Sequence, residues 1–519
     1  MFAFVRARHT AIAVLGVLAA AASTVPALAQ STEISIKQGV LIGSQDGNVS
    51  SFLGIPYAAP PINQLRWKPP AQAPSWSKPR DAKAFGPSCP QPVRNDMQNA
   101  RQTAAQNEDC LSLNVWTSDP NGRAPVMVWI HGGGHRVGSG SVGFYNGTEL
   151  ARQGVVLVTI NYRLGLLGYF AHPALTAEAD PAAPLGNYGM MDQIAALKWV
   201  RDNISMFGGD PNKVTVFGES AGGASTLYLL ATPSAKGLFS QAIVQSGGGL
   251  QVPKDLAATE ADGQKSISEL GLPAGASVSD LRAIPASRLV ALQPLEGLGF
   301  GPFVDGRLVL RSPAQAFLTG QATDVPLLIG ANSNEASVME TLNVTDRAIT
   351  AFLGNREASV RATYGGAGIS DAEFARQVFG DATFVGPARF IAGQAANGAP
   401  SFLYHYDYVL ENRRDRQPGA GHGSEIPQIF RSWGQMPLAS RLLTQQDNDF
   451  SVMISACWVA FAKTGTPSCA GLPPWKPYAP ETDVLMELSP KSGPKANFRK
   501  DKLDAVLPAE GAVNGLRRN

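Results

Sequence analysis

The chain has 519 residues, 44% of them hydrophobic, and a formal net charge of +2 at pH 7. A chain of this length and composition buries a large core, and interspersed charges of both signs give no reason to expect nucleic-acid binding. The sequence contains no linker rich in glycine, serine or proline and no internal repeat of fixed period. We therefore predict one large domain over residues 30–519.

The N-terminus has the pattern of a secretory signal peptide. Arg6 and Arg8 precede an uncharged run over residues 11–22, and the small-residue pattern Ala-Leu-Ala occupies residues 27–29. The apolar run is shorter than the roughly 20 residues that a membrane-spanning helix needs, and no later stretch reaches that length. We expect cleavage after residue 29 and a secreted or periplasmic mature chain without a membrane span. An uncleaved anchor is the alternative.

Four cysteines in an exported chain favour disulfides over free thiols. Three pairings are possible, and proximity in the sequence favours Cys89 with Cys110 and Cys457 with Cys469. A metal site is the weaker interpretation, because the sequence has no Cys-x-x-Cys and no cluster of histidine with cysteine. We therefore predict two short loops closed by disulfides and no bound metal.

Several short apolar runs rich in β-branched residues are typical of buried parallel strands. They lie at residues 126–130, 155–160, 214–217, 242–244 and 326–329. Residues 190–204 place apolar side chains at helical spacing between two of these runs. Strand, helix and strand in this order predict an α/β fold with a large, mostly parallel, doubly wound sheet, helices on both faces and long inserted loops. Residues 34–42, with Gly39 among them, predict an antiparallel hairpin at the sheet edge.

The strand at 214–217 leads into a Gly-x-Ser-x-Gly sequence centred on Ser220. A serine at the tip of a sharp strand-to-helix turn has a strained backbone, so Gly218 and Gly222 must lack side chains that would collide with neighbouring elements. The turn lifts the Ser220 hydroxyl clear of the sheet and directs the N–H of Ala221 toward whatever the serine attacks. We predict that Ser220 is a nucleophile; an ordinary turn is the alternative.

A serine hydroxyl needs a base to accept its proton, and the most common base is histidine. His422 lies in a small-residue loop, residues 419–424, from which a side chain reaches into a site with little hindrance. We predict that His422 is this base, with a plain surface histidine as the alternative. The other histidines leave with the signal peptide, have structural settings or flank a glycine run: His9, His172, His405, His131 and His135.

The histidine in turn needs a carboxylate that orients it and stabilises its charged form. Glu335 follows the strand at 326–329, beyond its carboxyl end, where a catalytic group of a parallel sheet is expected. Asp305 is the rival, but Asp-Gly after an apolar pair is typical of a turn. We therefore predict Glu335 as the carboxylate.

The negative charge that develops on an attacked carbonyl needs preorganised N–H donors. The strand at 126–130 runs into His131 and then three glycines. Such a run lets the backbone approach a substrate closely, so we predict that Gly133 and Gly134 join Ala221 as oxyanion-hole donors. A phosphate-binding loop is the alternative, but the Lys-[Ser/Thr] that would follow it is absent.

Through these motifs, the sequence resembles the type-B carboxylesterases, the α/β-hydrolase family that also includes the cholinesterases. Beyond the serine and glycine motifs, the resemblance is carried by residues 52–58, 65–70, 108–115, 161–163, 186–189 with 192–193, and 207–211. It covers nearly the whole mature chain. It implies a triad, three oxyanion donors and one disulfide, namely Ser220, Glu335 and His422; Gly133, Gly134 and Ala221; and Cys89–Cys110. The family pattern does not guarantee the Cys457–Cys469 pair.

The sequence departs from the family near the glycine run. The family usually has an aromatic residue after the three glycines, whereas this chain has His135 followed by Arg136. Asn63 stands where glycine is common, and Gln428 stands where an aromatic residue is frequent. We infer a more polar pocket and hypothesise that His135 or Arg136 favours an acidic or strongly polar ester. The alternative is that Arg136 points to solvent.

The sequence therefore predicts a serine carboxylesterase that needs no cofactor and hydrolyses small-molecule esters through an acyl-enzyme intermediate. Because His422 must be neutral to act, its activity should fall on the acid side near a pKa of ~6.5. A non-catalytic binding protein on the same fold is an alternative, and so is a hydrolase of amides, carbonates or polymer esters. The sequence leaves the oligomeric state open.

Overall fold

The computed structural model describes residues 31–93, 105–293, 300–395, 397–436 and 440–507. The predicted signal peptide lies outside the described residues. Within these ranges, no helix combines the length and the apolar character needed to cross a lipid bilayer.

A large mixed β-sheet forms the centre of the described structure. Its thirteen strands in the described ranges are β1 (Ser31–Ile36), β2 (Gly39–Asp46), β3 (Val49–Pro56), β4 (Arg80–Asp81), β5 (Ser112–Thr117), β6 (Ala124–Ile130), β7 (Val156–Ile160), β8 (Gly209–Glu219), β9 (Gln241–Gln245), β10 (Leu327–Asn332), β11 (Ser401–Tyr406), β12 (Val484–Leu488) and β13 (Gly493–Ala496). Their order across the sheet is β1, β2, β3, β5, β7, β6, β8, β9, β10, β11, β12 and β13, and β4 pairs with β2.

The strand pairing divides the sheet into a parallel centre and antiparallel edges. Along the sheet order, every neighbouring pair from β7 to β12 is parallel. The pairs on either side are antiparallel. The predicted parallel α/β sheet and its edge hairpin, formed by β1 and β2, are confirmed, although the antiparallel share is larger than the apolar runs alone indicated.

Helices cover the sheet. They are α1 (Thr148–Arg152), α2 (Gly165–Gly168), α3 (Pro173–Glu178), α4 (Tyr188–Asn203), α5 (Ala221–Ala231), α6 (Leu256–Glu269), α7 (Val278–Ala283), α8 (Ala286–Ala291), α9 (Pro313–Leu318), α10 (Asp346–Leu353), α11 (Glu357–Thr363), α12 (Asp371–Gly380), α13 (Gly386–Ala395), α14 (Ile426–Phe430), α15 (Gln445–Thr464) and α16 (Lys500–Val506). A π-helical turn, Asp381–Val385, lies between α12 and α13.

Alternate side chains of the central strands belong to different apolar clusters. In β6, Val126, Val128 and Ile130 belong to one cluster of buried residues, whereas Met127 and Trp129 belong to a second. Successive side chains of a strand point to opposite faces, so both faces of the sheet are covered. This explains why the strand sequences are almost continuously apolar instead of alternating with polar residues.

Both predicted disulfides are present. Cys89 pairs with Cys110 and Cys457 pairs with Cys469, at Cα distances of 5.0 and 4.8 Å. The first closes a loop within the connection between β4 and β5, and the second ties α15 to the loop that follows it.

A buried ion pair joins the segment after β7 to α4. The Arg163 guanidinium donates hydrogen bonds of 2.8 and 2.7 Å to the two carboxylate oxygens of Asp192, and the Arg163 backbone N–H donates a third of 3.0 Å. The two side chains are 4% and 0% exposed. The guanidinium also donates to the carbonyl oxygen of Lys68 at 3.0 Å. The pair therefore holds the segment after β7 and α4 together in the protein interior through charge-assisted hydrogen bonds.

We expect Asp192→Ala to lower the free energy of unfolding by about 3–5 kcal/mol, because it leaves the Arg163 guanidinium buried without its carboxylate. Urea unfolding followed by circular dichroism measures this change. Asp202→Ala is the matched control, since Asp202 is 38% exposed and pairs with Lys37 at 3.3 Å; removing an exposed pair changes stability by about 0–1 kcal/mol. Equal losses of unfolding free energy in Asp192→Ala and Asp202→Ala would contradict a special stabilising role for the buried ion pair.

Candidate active site

Ser220 lies on a sharp turn between β8 and α5. It has φ 57° and ψ −123°, a conformation that non-glycine residues rarely adopt and that costs of order 1–3 kcal/mol. A Cβ on Gly218 would lie 2.7 Å from the carbonyl oxygen of Ile130, and a Cβ on Gly222 would clash with the same oxygen. The Ser220 N–H donates to the carbonyl oxygen of Gln245 at 2.9 Å. The turn therefore depends on close backbone contacts that side chains would block.

His422 and Glu335 meet at the end of β10. Glu335 follows this strand, His422 lies in the loop before α14, and a β-bridge between Asn334 and Gly421 joins the two segments. The Nδ1 of His422 lies 2.5 Å from Oε2 of Glu335, whose side chain is 0% exposed. The Ser246 hydroxyl donates to the other oxygen of Glu335 at 2.5 Å. These contacts fix the carboxylate beside the imidazole.

The rival candidates have structural roles. Asp305 accepts hydrogen bonds from the backbone N–H groups of Leu185 at 3.0 Å and Val309 at 2.7 Å, which is the turn role that its sequence context predicts. His131 stacks on Tyr162 with ring centroids 4.5 Å apart, and burial lowers the pKa of His131 to about 4. His131 is therefore a neutral core side chain near neutral pH.

The glycine run after β6 passes directly beside Ser220. A Cβ on Gly132 would lie 3.1 Å from the Cβ of Ser220. Gly133 and Gly134 have φ 105° and 64°, which glycine adopts far more readily than any other residue. Both glycines and Ala221 line the same cavity as Ser220. Their backbone N–H groups are therefore close candidates for stabilising a charge that develops on an attacked carbonyl oxygen.

The cavity has a volume of about 760 Å³, within the range of sites that enclose a drug-sized ligand. Ser220 and His422 open into it together. Its lining includes aromatic rings, namely Tyr169, Phe170, Phe300, Phe303 and Phe384, and charged side chains that include Glu219, Lys254, Asp262, Lys265 and Glu269. Among the residues that the structure describes, no three His, Cys, Asp or Glu side chains are grouped so as to hold a metal ion.

Known proteins resemble this chain over most of its length. The sequence pattern of the carboxylesterase family matches residues 30–364 and 368–506. The chain belongs to the carboxylesterase family.

Individual relatives agree with this membership. The para-nitrobenzyl esterase of Bacillus subtilis (strain 168) is 35% identical over 496 residues, which cover 92% of this chain and 99% of that protein. The fumonisin B1 esterase of Sphingopyxis macrogoltabida is 34% identical over 476 residues, which cover 89% and 86% of the two chains. A solved structure of a PNB esterase matches with a TM-score of 0.82 and 32% identity, covering 92% of this chain and 99% of its own. The protein is a carboxylic ester hydrolase with the α/β-hydrolase fold.

Two polar side chains of this carboxylesterase follow the glycine run into the cavity. His135 and Arg136 are 5% and 3% exposed, and both line the cavity. The Nε of Arg136 lies 3.6 Å from the position that a Cβ on Gly134 would occupy. The Nε2 of His135 lies 3.0 Å from the Ser225 hydroxyl oxygen. The alternative in which Arg136 points to solvent is therefore wrong, and the cavity is polar beside the glycine run.

Two buried carboxylates near His422 were not predicted from the sequence. The Oε1 of Glu219 lies 3.1 Å from Nε2 of His422. Glu425 is 0% exposed and accepts hydrogen bonds from the side-chain amides of Gln245 at 2.9 Å and Asn332 at 2.6 Å. Glu219 occupies a variable position of the serine motif, so the motif itself carries no signal for its role. The contacts of Glu425 form only after distant strands pair.

These carboxylates change the pKa that is expected for His422. Burial by itself lowers the pKa of His422, but the charges of Glu219 and Glu335, with Glu425, outweigh burial and hold this pKa well above its usual value of 6.5. Burial raises the pKa of Glu219 to about 8, against the opposing effect of His422. The expectation of an acid limb near pH 6.5 is therefore revised upward.

We expect Glu219→Gln to move the acid limb of the kcat/KM profile to lower pH by about 1 unit or more. Removing a carboxylate 3.1 Å from Nε2 of His422 destabilises the imidazolium and lowers its pKa, and an opposite charge at this range shifts a pKa by about 1–3 units. The profile is measured with a nitrophenyl ester from pH 5 to 10. The exposed Glu481→Gln is the control and should leave the limb in place. An unchanged or higher midpoint in Glu219→Gln would contradict this prediction.

Proposed function

We propose that this esterase uses Ser220 as nucleophile, His422 as general base and Glu335 as the carboxylate that orients the base. The observation that carries the proposal is the 2.5 Å contact between Nδ1 of His422 and Oε2 of Glu335, in a cavity that Ser220 also lines. Such a contact keeps the proton of the neutral imidazole on Nδ1. Nε2 is then available to accept the proton of the serine hydroxyl.

The reaction follows from these positions. The Ser220 oxygen forms a bond to the ester carbonyl carbon while its proton passes to Nε2 of His422, and the N–H groups of Gly133, Gly134 and Ala221 donate to the oxyanion. The bond from carbon to the leaving alcohol then breaks, and the alcohol oxygen takes the proton from Nε2. Water attacks the acyl-enzyme by the same route in reverse and releases the acid.

A fluorophosphonate should add one phosphonyl group to the protein, and Ser220→Ala should abolish both this adduct and the turnover of a short-chain nitrophenyl ester. Glu335→Gln should lower kcat by about 10⁴-fold, because the imidazole loses the partner that sets its tautomer. Intact mass and steady-state kinetics measure these effects. Asp305→Asn is the control for the rival carboxylate and should retain labelling and turnover. Absence of both adduct and turnover in folded wild-type protein would refute the proposal and favour a binding protein.

We also propose that the esterase prefers substrates with a carboxylate or another strongly polar group close to the ester. The support comes from Arg136, whose guanidinium is buried in the cavity wall beside Gly134. Guanidinium groups form strong, directional hydrogen bonds to carboxylates. The relatives do not fix the substrate, because the names of the Bacillus and Sphingopyxis proteins specify chemically different esters.

To test this preference, we compare kcat/KM for monoethyl succinate with kcat/KM for ethyl butyrate. We expect Arg136→Ala to lower the ratio of these two values by about 10–100-fold, which is the factor that corresponds to the loss of one hydrogen bond to a charged group. The two esters share the alcohol and the acyl chain length and differ in the terminal carboxylate. Hydrolysis is followed by pH-stat titration. Arg136→Lys is the matched variant and should retain part of the preference, because it keeps the charge without the planar fork. An unchanged ratio in Arg136→Ala would refute the preference.

We propose further that residues 1–29 are a signal peptide and that the mature protein, one domain from residue 30 onward, is secreted or periplasmic. The two disulfides support an oxidising compartment. The mass of the protein recovered from the cell exterior or periplasm tests this proposal, because cleavage after Ala29 defines a single expected value.

A further inference from the structure

The π-helical turn Asp381–Val385 forms part of the cavity wall. It lies between α12 and α13, and its residues Thr383 and Phe384 line the cavity. π-Helical turns are rare in proteins and occur frequently at functional sites. The irregular backbone of this turn therefore lies at the wall of the cavity that Ser220 and His422 also line.

The turn contacts both His422 and the carboxylate beside it. The ring centroids of Phe384 and His422 are 5.0 Å apart, with an interplanar angle of 47°. Phe379 packs against Phe384 at 5.9 Å. Gly380, which precedes the turn, lies next to Glu335, because a Cβ on Gly380 would be in van der Waals contact with the Glu335 Cβ at 3.5 Å. A displacement of the turn would therefore change the packing around both His422 and Glu335.

Asp381, the first residue of the turn, is anchored by two hydrogen bonds from outside it. Its side chain is 1% exposed. The carboxylate accepts from the Tyr364 hydroxyl at 2.6 Å and from Nη2 of Arg499 at 2.7 Å. Burial raises the pKa of Asp381, and the charge of Arg499 opposes this rise. Hydrogen bonds to an ionised group are roughly twice as strong as those between neutral groups, so this anchor holds the start of the turn firmly.

Arg499 reaches Asp381 from a strained backbone conformation. It has φ 51° and ψ 25°, a left-handed conformation that costs a non-glycine residue about 1–2 kcal/mol. The helix that begins after it, α16, packs Leu503 and Val506 into the same apolar cluster as Phe379 and Phe384. Strain of this kind persists where the surrounding contacts over-determine a conformation. The packing of α16 therefore holds Arg499 in the conformation from which it reaches Asp381.

We propose that Asp381 is a positioning residue for ester hydrolysis: its hydrogen bonds to Tyr364 and Arg499 fix the π-helical turn, and the turn holds Phe384 against the imidazole of His422. The inference rests on the proposed role of His422 as the general base. Asp381 acts through Phe384 and does not itself touch the substrate.

The imidazole needs this restraint because it has two possible partners on the same nitrogen. Nε2 of His422 lies 3.1 Å from Oε1 of Glu219, yet catalysis requires that nitrogen to reach the Ser220 hydroxyl. A ring packed on the imidazole limits how far it turns toward Glu219. A misplacement of about 1 Å caused by a mutation away from the chemistry can lower a rate by about 10²-fold.

The first experiment compares Asp381→Asn and Tyr364→Phe with Asp371→Asn in the full chain. Asp371 lies on α12, and its side chain is 86% exposed, so its substitution controls for the loss of one carboxylate. The kcat is expressed per active site titrated with a fluorophosphonate, which removes any contribution from unfolded protein. We expect kcat to fall about 10-fold in Asp381→Asn and about threefold in Tyr364→Phe, with KM nearly unchanged, and to stay constant in Asp371→Asn.

The second experiment tests whether Asp381 acts through Phe384. Phe384→Ala should lower kcat at least as much as Asp381→Asn, and Phe384→Leu should restore most of it, because leucine refills the apolar contact. The double variant Asp381→Asn/Phe384→Ala should be no slower than Phe384→Ala alone, since two residues acting through one contact are not additive.

Additive losses in the double variant would overturn the proposal, and so would an unchanged kcat per titrated site in an Asp381→Asn protein that has only lost thermal stability. If Asp381→Asn does not fold, Tyr364→Phe combined with Phe384→Ala provides the same cycle. A wild-type protein that is not labelled at Ser220 would refute the proposed triad. Normal labelling together with additive losses would refute the role of Asp381 alone.

Discussion

The candidate site depends on the close approach of β6 to the turn between β8 and α5. The carbonyl oxygen of Ile130 fills the space that side chains at positions 218 and 222 would need. Only with glycine at both positions does the chain reverse so sharply that Ser220 stands above the sheet with a positive φ. The same approach brings the glycine run after β6 next to Ser220. One steric constraint therefore places Ser220, the candidate nucleophile, next to the candidate oxyanion donors.

Buried charge then sets the chemistry around that turn. Each ring nitrogen of His422 faces a carboxylate, Glu335 at Nδ1 and Glu219 at Nε2. Because the side chains of Glu335 and Glu219 are 0% and 6% exposed, these charges act on the imidazole with less screening than they would in water. They stabilise the imidazolium form of His422, and they therefore raise the pH at which the neutral imidazole is available. The Ser246 hydroxyl and the amides around Glu425 supply the hydrogen bonds that buried carboxylates require.

Two parts of the cavity wall near Ser220 and His422 differ in character. His135 and Arg136 are buried polar side chains beside the glycine run, in a cavity that both aromatic and charged side chains line. The π-helical turn at Asp381 lies against His422 through Phe384. The first part lies beside the candidate oxyanion donors, and the second lies beside the candidate general base.

The sequence by itself determined the features that depend on neighbouring residues. Apolar runs predicted the central strands, and the spacing of the cysteines predicted both disulfides correctly. The glycines around Ser220 and after β6 indicated two segments in which the backbone packs closely against its neighbours. Only the tertiary structure decided that Glu219 faces His422, that Arg136 is buried and that Arg499 reaches Asp381. The physical reason is that strand and turn patterns are local. Burial, pKa shifts and hydrogen bonds between distant segments depend instead on which strands pair and which side chains are then excluded from water.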